Sequence, residues 1–505
     1  MKIFFLKTKE KIMPLLGMAL LVVFGTSCHD DLEPVGFSQI DANTFFQTES
    51  DAAALTNAFY AEFDNGWTGR WWDSQGITQA GITGGDLIVL WGGFEHVERF
   101  TWNAASNRVD FNYNQWIGDI AKATNAIADI ERIDIDQAIK DEYIAQVRVG
   151  RAFMLFMLYD QYGPVPMVVD PEITQDINTD FVPTRPSAAE AIQFIDDELK
   201  AAEAALPATY TGADFGRLGA GAAKMTRLKL YMHEKRWADA IAVAQEIENL
   251  GIYSLVPGEN YGGIWVDEGN SETIWSLGRL SNNGIPQHFM ANVLPGDFRD
   301  AGGNSYVSWN GWRLNWEIFD SFDPGDARLS LLAEDYLVDD GSGGLVMKEG
   351  RPAGDPAGVA QGGALIFKYG GLAQNFDGAN GDGDVVIYRY SDMLLLWAEA
   401  LNENGDTPGA RTLLQRVRAR AGVDALTPAL TSQSEMRDYI LEERFRELHV
   451  EGWTRQDLIR HGSFISAAQA RGHSNAQDFH VLYPIPQGAI NANPKITQNP
   501  GYGGN

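Results

Sequence analysis

Cysteine is nearly absent from this 505-residue chain, where Cys28 is the only one. No intramolecular disulfide can form, so the fold must rest on burial and polar pairing. Positive charge is also scarce. Lys and Arg number 39 against 68 Asp and Glu, a net charge of −29. A polyanion would be repelled overall, no basic patch offsets this, and no nucleic-acid partner is expected. Long apolar runs are missing too. The run from Met13 to Phe24 falls short of the roughly eighteen residues that a membrane helix needs, which excludes a polytopic membrane protein. Local signatures of catalysis are lacking as well, with no H-E-x-x-H and no G-x-S-x-G, and the eight His residues are scattered. Gly216–Gly221 has the spacing of a phosphate loop, but Ala222 stands where Lys is required and no strand precedes it. Asp377–Asp384 alternates oxygen donors with glycine, which invites a calcium reading, yet Ala379 and Val385 break the EF-hand register, so a solvated acidic hairpin is expected, with bound calcium the lesser alternative. No cofactor and no enzymatic activity are expected, although two carboxylates brought together by folding leave no local signature.

What is present is ample chain for a large core, roughly three domains' worth by length. Hydrophobic residues make up 45% of it, and the chain carries 14 Trp, 17 Tyr, 25 Phe and 53 Gly. So much Trp and Gly together suggests large ordered loops bearing aromatics. At the amino terminus, Lys2, Lys7, Lys9 and Lys11 precede the short apolar run, which ends at Gly25-Thr-Ser27. Residues 1–27 therefore read as a signal peptide of an exported protein. Cys28 stands at the cleavage position and resembles the lipid-acceptor cysteine of a bacterial lipoprotein. The acidic stretch His29-Asp-Asp-Leu-Glu-Pro34 after it resembles the signal that sends Bacteroidota-type lipoproteins to the cell surface, so 28–46 reads as a lipidated tether.

The remainder, 47–505, reads as a single, mainly α domain. Capping boxes at Thr48/Asp51, Ser187/Glu190 and Ser432/Glu435 mark helix starts. Apolar periodicity predicts helices over 113–130, 137–162, 188–206 and 219–232. Two helix pairs share one plan. Residues 222–232 with 237–250, and 390–401 with 410–421, each place small Ala at crossing points, with stripes Trp237/Ile241/Ala244/Ile247 and Tyr390/Leu394/Trp397/Leu401. At about 34 residues per pair they resemble tetratricopeptide units, and about four such pairs are expected. Irregular insertions at about 64–111 and 251–386 interrupt them, with short β pieces at 273–277 and 363–369. Loops this long are usually functional, and these are expected to build a ligand-binding face.

Several segments together resemble the SusD/RagB family of outer-membrane nutrient-binding lipoproteins. The most specific are Leu482-Tyr-Pro-Ile-Pro486 with Asn493-Pro-Lys-Ile-Thr-Gln-Asn-Pro-Gly-Tyr502, and Ile440-Leu-Glu-Glu-Arg-Phe-Arg-Glu-Leu448 with Glu451-Gly452 and Asp457-Leu458. Arg389–Asn402, Val417–Gly422 and Arg148–Pro166 are similar too. Physically these read as structure. Arg389, Asp392, Glu399, Glu443, Arg444 and Glu447 are expected to form ion-pair networks, and Pro484, Pro486, Asn493 and Pro494 to hold an extended carboxyl-terminal strap. The resemblance implies a helical scaffold with a variable ligand face. It also implies a partner, a TonB-dependent outer-membrane transporter on which the lipoprotein sits as a lid.

Sugar rings present flat C–H faces that stack on Trp and Tyr, while amides, carboxylates and Arg bind their hydroxyls. Two clusters in the insertions fit that chemistry: Trp67, Arg70, Trp71, Trp72 and Asp73 with Trp91, and Tyr306, Trp309, Asn310 and Trp312. The expected function is capture of oligosaccharide or polysaccharide at the cell surface. A peptide-binding lid of the same fold is the alternative, and a purely structural scaffold the third class.

Overall fold

Helices begin where the capping residues put them. In the computed structural model, which describes residues 46–63, 77–176, 178–281 and 285–503, Thr48, Ser187 and Ser432 each accept a hydrogen bond from the backbone N–H three residues on. The acidic residue there, Asp51, Glu190 or Glu435, in turn accepts one from the backbone N–H of the cap residue. These caps open α1 (Glu49–Tyr60), α4 (Ala188–Glu203) and α9 (Gln433–Leu448), in an array with α2 (Phe111–Glu131), α3 (Gln137–Tyr162), α5 (Ala220–His233), α6 (Trp237–Glu248), α7 (Tyr390–Glu403) and α8 (Thr407–Arg420). Short turns join α2 to α3, α5 to α6 and α7 to α8, and the members of each pair pack together. Helix α4 bridges α3 and α5, α6 packs on α7, and α9 closes on α7 and α8. The result is the expected tetratricopeptide-like array. Residues Thr48–Asn505 form one compact unit, and no helix among the described residues is long and apolar enough to cross a membrane. Signal peptide, Cys28 and most of the tether lie outside the described residues.

Two details differ from the sequence pattern. Helix α4 ends at Glu203 rather than at Leu206 because Pro207 disfavours helical geometry in the residue before it. The buried stripe of α6 is Ala240, Val243, Ala244 and Ile247, with Trp237 and Ile241 only partly covered at its edge. Helix α3 is buried from Ile144 to Tyr162 except at Arg148, which is partly exposed. It stops at Gly163, whose φ of +69° only glycine adopts without strain. The carboxyl-terminal strap ties to this end: Tyr483 N–H donates to the Gln161 carbonyl at 2.7 Å, and Asn499 Nδ2 donates to the Tyr162 carbonyl at 2.9 Å. A short helix, Gln487–Ala492, interrupts the strap's extended course.

The insertions hold short strands: β1 (Leu87–Val89), β2 (Thr273–Leu277), β3 (Phe298–Arg299), β4 (Trp312–Leu314), β5 (Leu332–Ala333), β6 (Tyr336–Asp339), β7 (Leu345–Lys348), β8 (Leu365–Ile366), β9 (Phe376–Asp377), β10 (Asn380–Gly381) and β11 (Val385–Arg389). All pair antiparallel, as β1/β4, β2/β11, β5/β8, β9/β10 and the three-stranded β3/β6/β7. Only Leu365–Ile366 of the expected 363–369 strand joins a ladder. Tyr369 then turns to a φ of +60°, and Lys368 reaches inward to Glu451 at 2.7 Å. The acidic segment at 377–384 forms a hairpin, with Asp377 opposite Asn380.

Between insertion and helices lies a buried charge network. Arg389, at the end of β11, contacts Glu272 (2.9 Å), Glu451 (2.8 Å) and Glu447. Arg328 contacts Asp326 (2.7 Å), Glu443 (2.7 Å) and Glu447 (2.9 Å). Arg444 joins Asp392 (2.9 Å) to Asp457 (2.8 Å), and Arg460 joins Asp457 (2.8 Å) to Glu399 (2.5 Å). Burial alone would raise these carboxyl groups. For Glu443 the surrounding Arg328, Arg446 and Arg418 outweigh it and hold the group at about 2; Arg420, Arg389 and Arg328 likewise hold Glu447 well below its ordinary value.

Stability should therefore depend on acid in a defined direction. Because the folded-state value of Glu443 lies below 4.5, its contribution is complete above about pH 4.5 and is lost as pH falls toward about 2. Urea unfolding across that window should show stability falling steeply, with little change just above it. Arg389→Ala, which takes a shared guanidinium from three buried carboxylates, should cost about 3–5 kcal/mol at neutral pH; a loss under 1 kcal/mol would contradict the network's role.

Candidate functional site

The pairing of β1 with β4 brings the two insertions together. Val89 faces Trp312 and Leu87 faces Leu314, and Leu90 N–H continues the ladder by donating to the Gly311 carbonyl at 2.7 Å. This delivers Trp91 to the 306–312 segment, where its indole Nε1 donates to the Trp309 carbonyl at 2.8 Å. The indole lies so close to Gly311 that a Cβ there would collide with it. The segment itself is pinned to the short helix Phe289–Val293: Trp309 N–H donates to Ala291 and Gly311 N–H to Asn292, both at 2.6 Å. Asn310 sits at a φ of +50° and accepts from Arg313 Nη2.

Three of the expected aromatics keep an accessible part on this scaffold. Trp309 stacks on His288 (5.5 Å between ring centres, 29°), and His288 Nε2 lies 3.0 Å from Asn380 Oδ1 of the hairpin. Burial holds His288 below its ordinary pKa, so it stays neutral under Trp309. Tyr306 meets Phe376 edge-on at 5.5 Å, and its hydroxyl donates to Asp300 Oδ2 at 2.9 Å. Hydrogen bonds from Asn304 and Tyr306 hold the Asp300 carboxyl at about 2. Trp91, Tyr306 and Trp309 are half-buried and Asn310 is exposed. Each ring is fixed on one side by a named contact, which is what a stacking platform requires.

Trp312 is different. It is 1% exposed and packs edge-on against Phe289 at 5.5 Å and tilted against Trp91 at 6.4 Å. Its position in β4 points it into the core, so it supports Trp91 from behind and offers no face for stacking. Trp67, Arg70, Trp71, Trp72 and Asp73 lie outside the described residues.

A pocket of about 500 Å³ opens beside Trp91, bounded by Leu90, Glu95, Glu98, Glu317, Arg471 and His473 among others. None of these stood out in the sequence, nor did His288 and Phe376, and Asn380 did so only as part of the acidic hairpin. They come from distant segments without a shared motif, and only the ladder and the hairpin assemble them. Among the described residues no group of His, Cys, Asp and Glu is arranged to hold a metal ion.

The SusD family's sequence profile matches residues 340–502, the part that contains the strap and the network's Arg389, Glu443, Arg444, Glu447 and Glu451. This part of the chain is SusD-like. Over nearly its whole length it is similar to SusD-like protein P25 of Formosa agariphila, at 24% identity over 97% of this chain and 98% of that protein. The starch-binding protein SusD of Bacteroides thetaiotaomicron is 30% identical over a 129-residue stretch, 24% of this chain and 22% of that one. Among solved structures, a SusD homologue from Bacteroides thetaiotaomicron superposes with a TM-score of 0.76 at 18% identity, covering 91% of this chain and 98% of that one. A laminarin-binding SusD-like protein does so with 0.71 at 21% identity, covering 90% and 100%. These likenesses establish the SusD-like helical fold.

The packing within this SusD-like face predicts distinct responses. Trp312→Ala should cost about 3–5 kcal/mol and lower the melting temperature visibly. Gly311→Ala should also destabilise, since Trp91 must leave its seat. Should Trp312→Ala melt like the parent protein, the supporting role assigned to that ring is wrong.

Proposed function

We propose that this chain is a cell-surface glycan-binding lipoprotein that captures oligosaccharide or polysaccharide and, as a lid, delivers it to a TonB-dependent outer-membrane transporter. The observation that carries the reading is the set of half-buried rings, Trp91, Trp309 and Tyr306, each fixed on one side by hydrogen bonds or by a second ring. Fixed rings bind the flat C–H faces of a sugar without a cost for ordering them. Asn310, Asp300 and the carboxylates around the neighbouring pocket supply partners for hydroxyls. The names of the relatives support the same ligand class: one binds starch, one laminarin, and a surface glycan-binding protein from Bacteroides uniformis has the same fold with a TM-score of 0.71 at 20% identity, covering 90% of this chain and 99% of that one. The first cluster, Trp67 to Asp73, belongs to the proposed ligand contacts on its composition. Peptide capture would be served by a lid with fewer presented rings. The transporter partner and the acyl anchor at Cys28 rest on the family resemblance and on the amino-terminal sequence.

Calorimetric titration with laminarin and amylose fragments tests the site. Removing one stacking ring forfeits about 50 Å² of apolar contact, roughly 1.3 kcal/mol or about tenfold in affinity. Trp91→Ala, Trp309→Ala and Trp71→Ala should each show such a loss with the fold retained; if all three bind like the parent, the ligand site is elsewhere. The anchor is tested separately. Cys28→Ala should release the protein from membranes, and mild detergent extraction of the unaltered protein should recover a much larger barrel with it. Unmodified Cys28 in membrane-extracted protein, or recovery only as a free monomer, would remove the lid model's support.

A further inference from the structure

In the pocket beside the aromatic face, carboxylates open to solvent outnumber the cations among the described lining residues. In the pocket beside Trp91, Glu95, Glu98 and Glu317 confront Arg471 and His473. The three glutamates are exposed. Arg471 lies against the Gly85 backbone and donates to the Thr83 carbonyl at 2.7 Å. Burial, aided by Arg471, holds His473 below its ordinary pKa, so it adds no charge at neutral pH. Behind the rings, Arg313 is 2% exposed; it donates to the Val293 carbonyl at 2.6 Å, to the Trp312 carbonyl at 2.7 Å and to the Gln361 carbonyl at 3.2 Å. Farther out, Lys348 pairs with Asp297 at 2.6 Å and Arg351 with Asp320 at 2.6 Å. Arg299 donates to the Phe298 carbonyl at 2.8 Å. On the Tyr306 side the charge is Asp300, firmly anionic. The whole chain, at −29, has the same sign.

We propose that this face selects uncharged glycans and rejects sulfated and uronate-rich ones. An ionised carboxylate only accepts hydrogen bonds, so it matches sugar hydroxyls well and an anionic substituent badly. A sulfate or carboxylate stacked at Trp91 would meet three exposed carboxylates, Glu95, Glu98 and Glu317, against the single guanidinium of Arg471 among the described residues that line the pocket. Field and pocket thus act in the same direction: the field lowers the encounter rate of polyanions, and the local carboxylates weaken what arrives. This inference rests on the glycan-binding reading and narrows it to a substrate class.

The test uses matched pairs that share a backbone: laminarin and sulfated laminarin, amylose and carboxymethyl-amylose, titrated into the chain from residue 29 onward at low and at high salt. The uncharged member of a pair should bind at least about tenfold more tightly at low salt, and the gap should narrow at high salt as the repulsion is screened. The triple variant Glu95→Gln, Glu98→Gln, Glu317→Gln should shrink the uncharged-to-anionic ratio. Because the ratio is taken within one protein sample, partial unfolding cannot mimic the change. If an anionic member binds as tightly as its parent, or more tightly with affinity that falls as salt rises, the charge selection is overturned while glycan binding stands. Should neither member of either pair bind to protein with an intact melting transition, the glycan reading falls and this inference falls with it.

Discussion

Arg389 and its three carboxylates constrain more of this structure than any other contact. The arginine ends β11, Glu272 immediately precedes β2, and Glu447 and Glu451 lie at and just beyond the end of α9. One guanidinium therefore fixes the insertion's central β pair to the last helix of the array. Arg420 adds a second link between Glu272 and Glu447, and Arg328 a third from the short 3-10 helix Ala327–Leu331 to Glu443 and Glu447. A buried ion pair gains little stability over a hydrophobic substitute of the same shape, but an unpaired buried charge is very costly. The network's effect is consequently on register: any docking of the insertion that leaves one partner unmatched is penalised heavily.

That register reaches the ligand face through short steps. Lys368, beyond β8, binds Glu451 and the Glu447 and His449 carbonyls. Tyr369 beside it packs on Phe289 at 4.7 Å, and Phe289 holds Trp312, which backs Trp91. The half-buried rings are thus the outer end of a packed chain that begins at buried charge. A face whose outer residues vary between relatives can keep its geometry if this inner chain is retained, since the rings need only seat on a backbone already in place.

The legible parts of the sequence were those whose signals are local. Thr48, Ser187 and Ser432 announce helix starts because the capping box spans four residues, and the α3 limits at Gln137 and Tyr162 follow from apolar periodicity ended by Gly163-Pro164. Arg389, Asp392, Glu399, Glu443, Arg444 and Glu447 were legible as a charged set, but Arg328, Asp326 and Glu272 and the pairings themselves were not, because Arg328 and Glu443 meet only through tertiary folding. At the site, composition located Trp91, Tyr306 and Trp309 but could not separate them from Trp312. All four are aromatic residues of glycine-rich insertions, and only the β1/β4 register, which points Trp312 inward, makes the difference. His288 had no signal and Asn380 was read only as part of the acidic hairpin, since an isolated histidine and a hairpin asparagine acquire this meaning only beside Trp309.

The contrast between the two polar regions shows how one composition serves two purposes. In the interior, acidic residues are matched nearly one to one with arginines, and low dielectric makes each match specific. At the ligand face the arginines turn to main-chain carbonyls, as Arg313 and Arg471 do, and Glu95, Glu98 and Glu317 remain at the surface. The excess of negative charge is thus expressed outside, where water solvates it cheaply and where it faces whatever approaches the rings. A chain with only 39 Lys and Arg, thirteen of them buried among the described residues, has little positive charge left with which to hold an anionic polymer. Selection against charged ligands then follows from the same arginine placement that holds the fold in register.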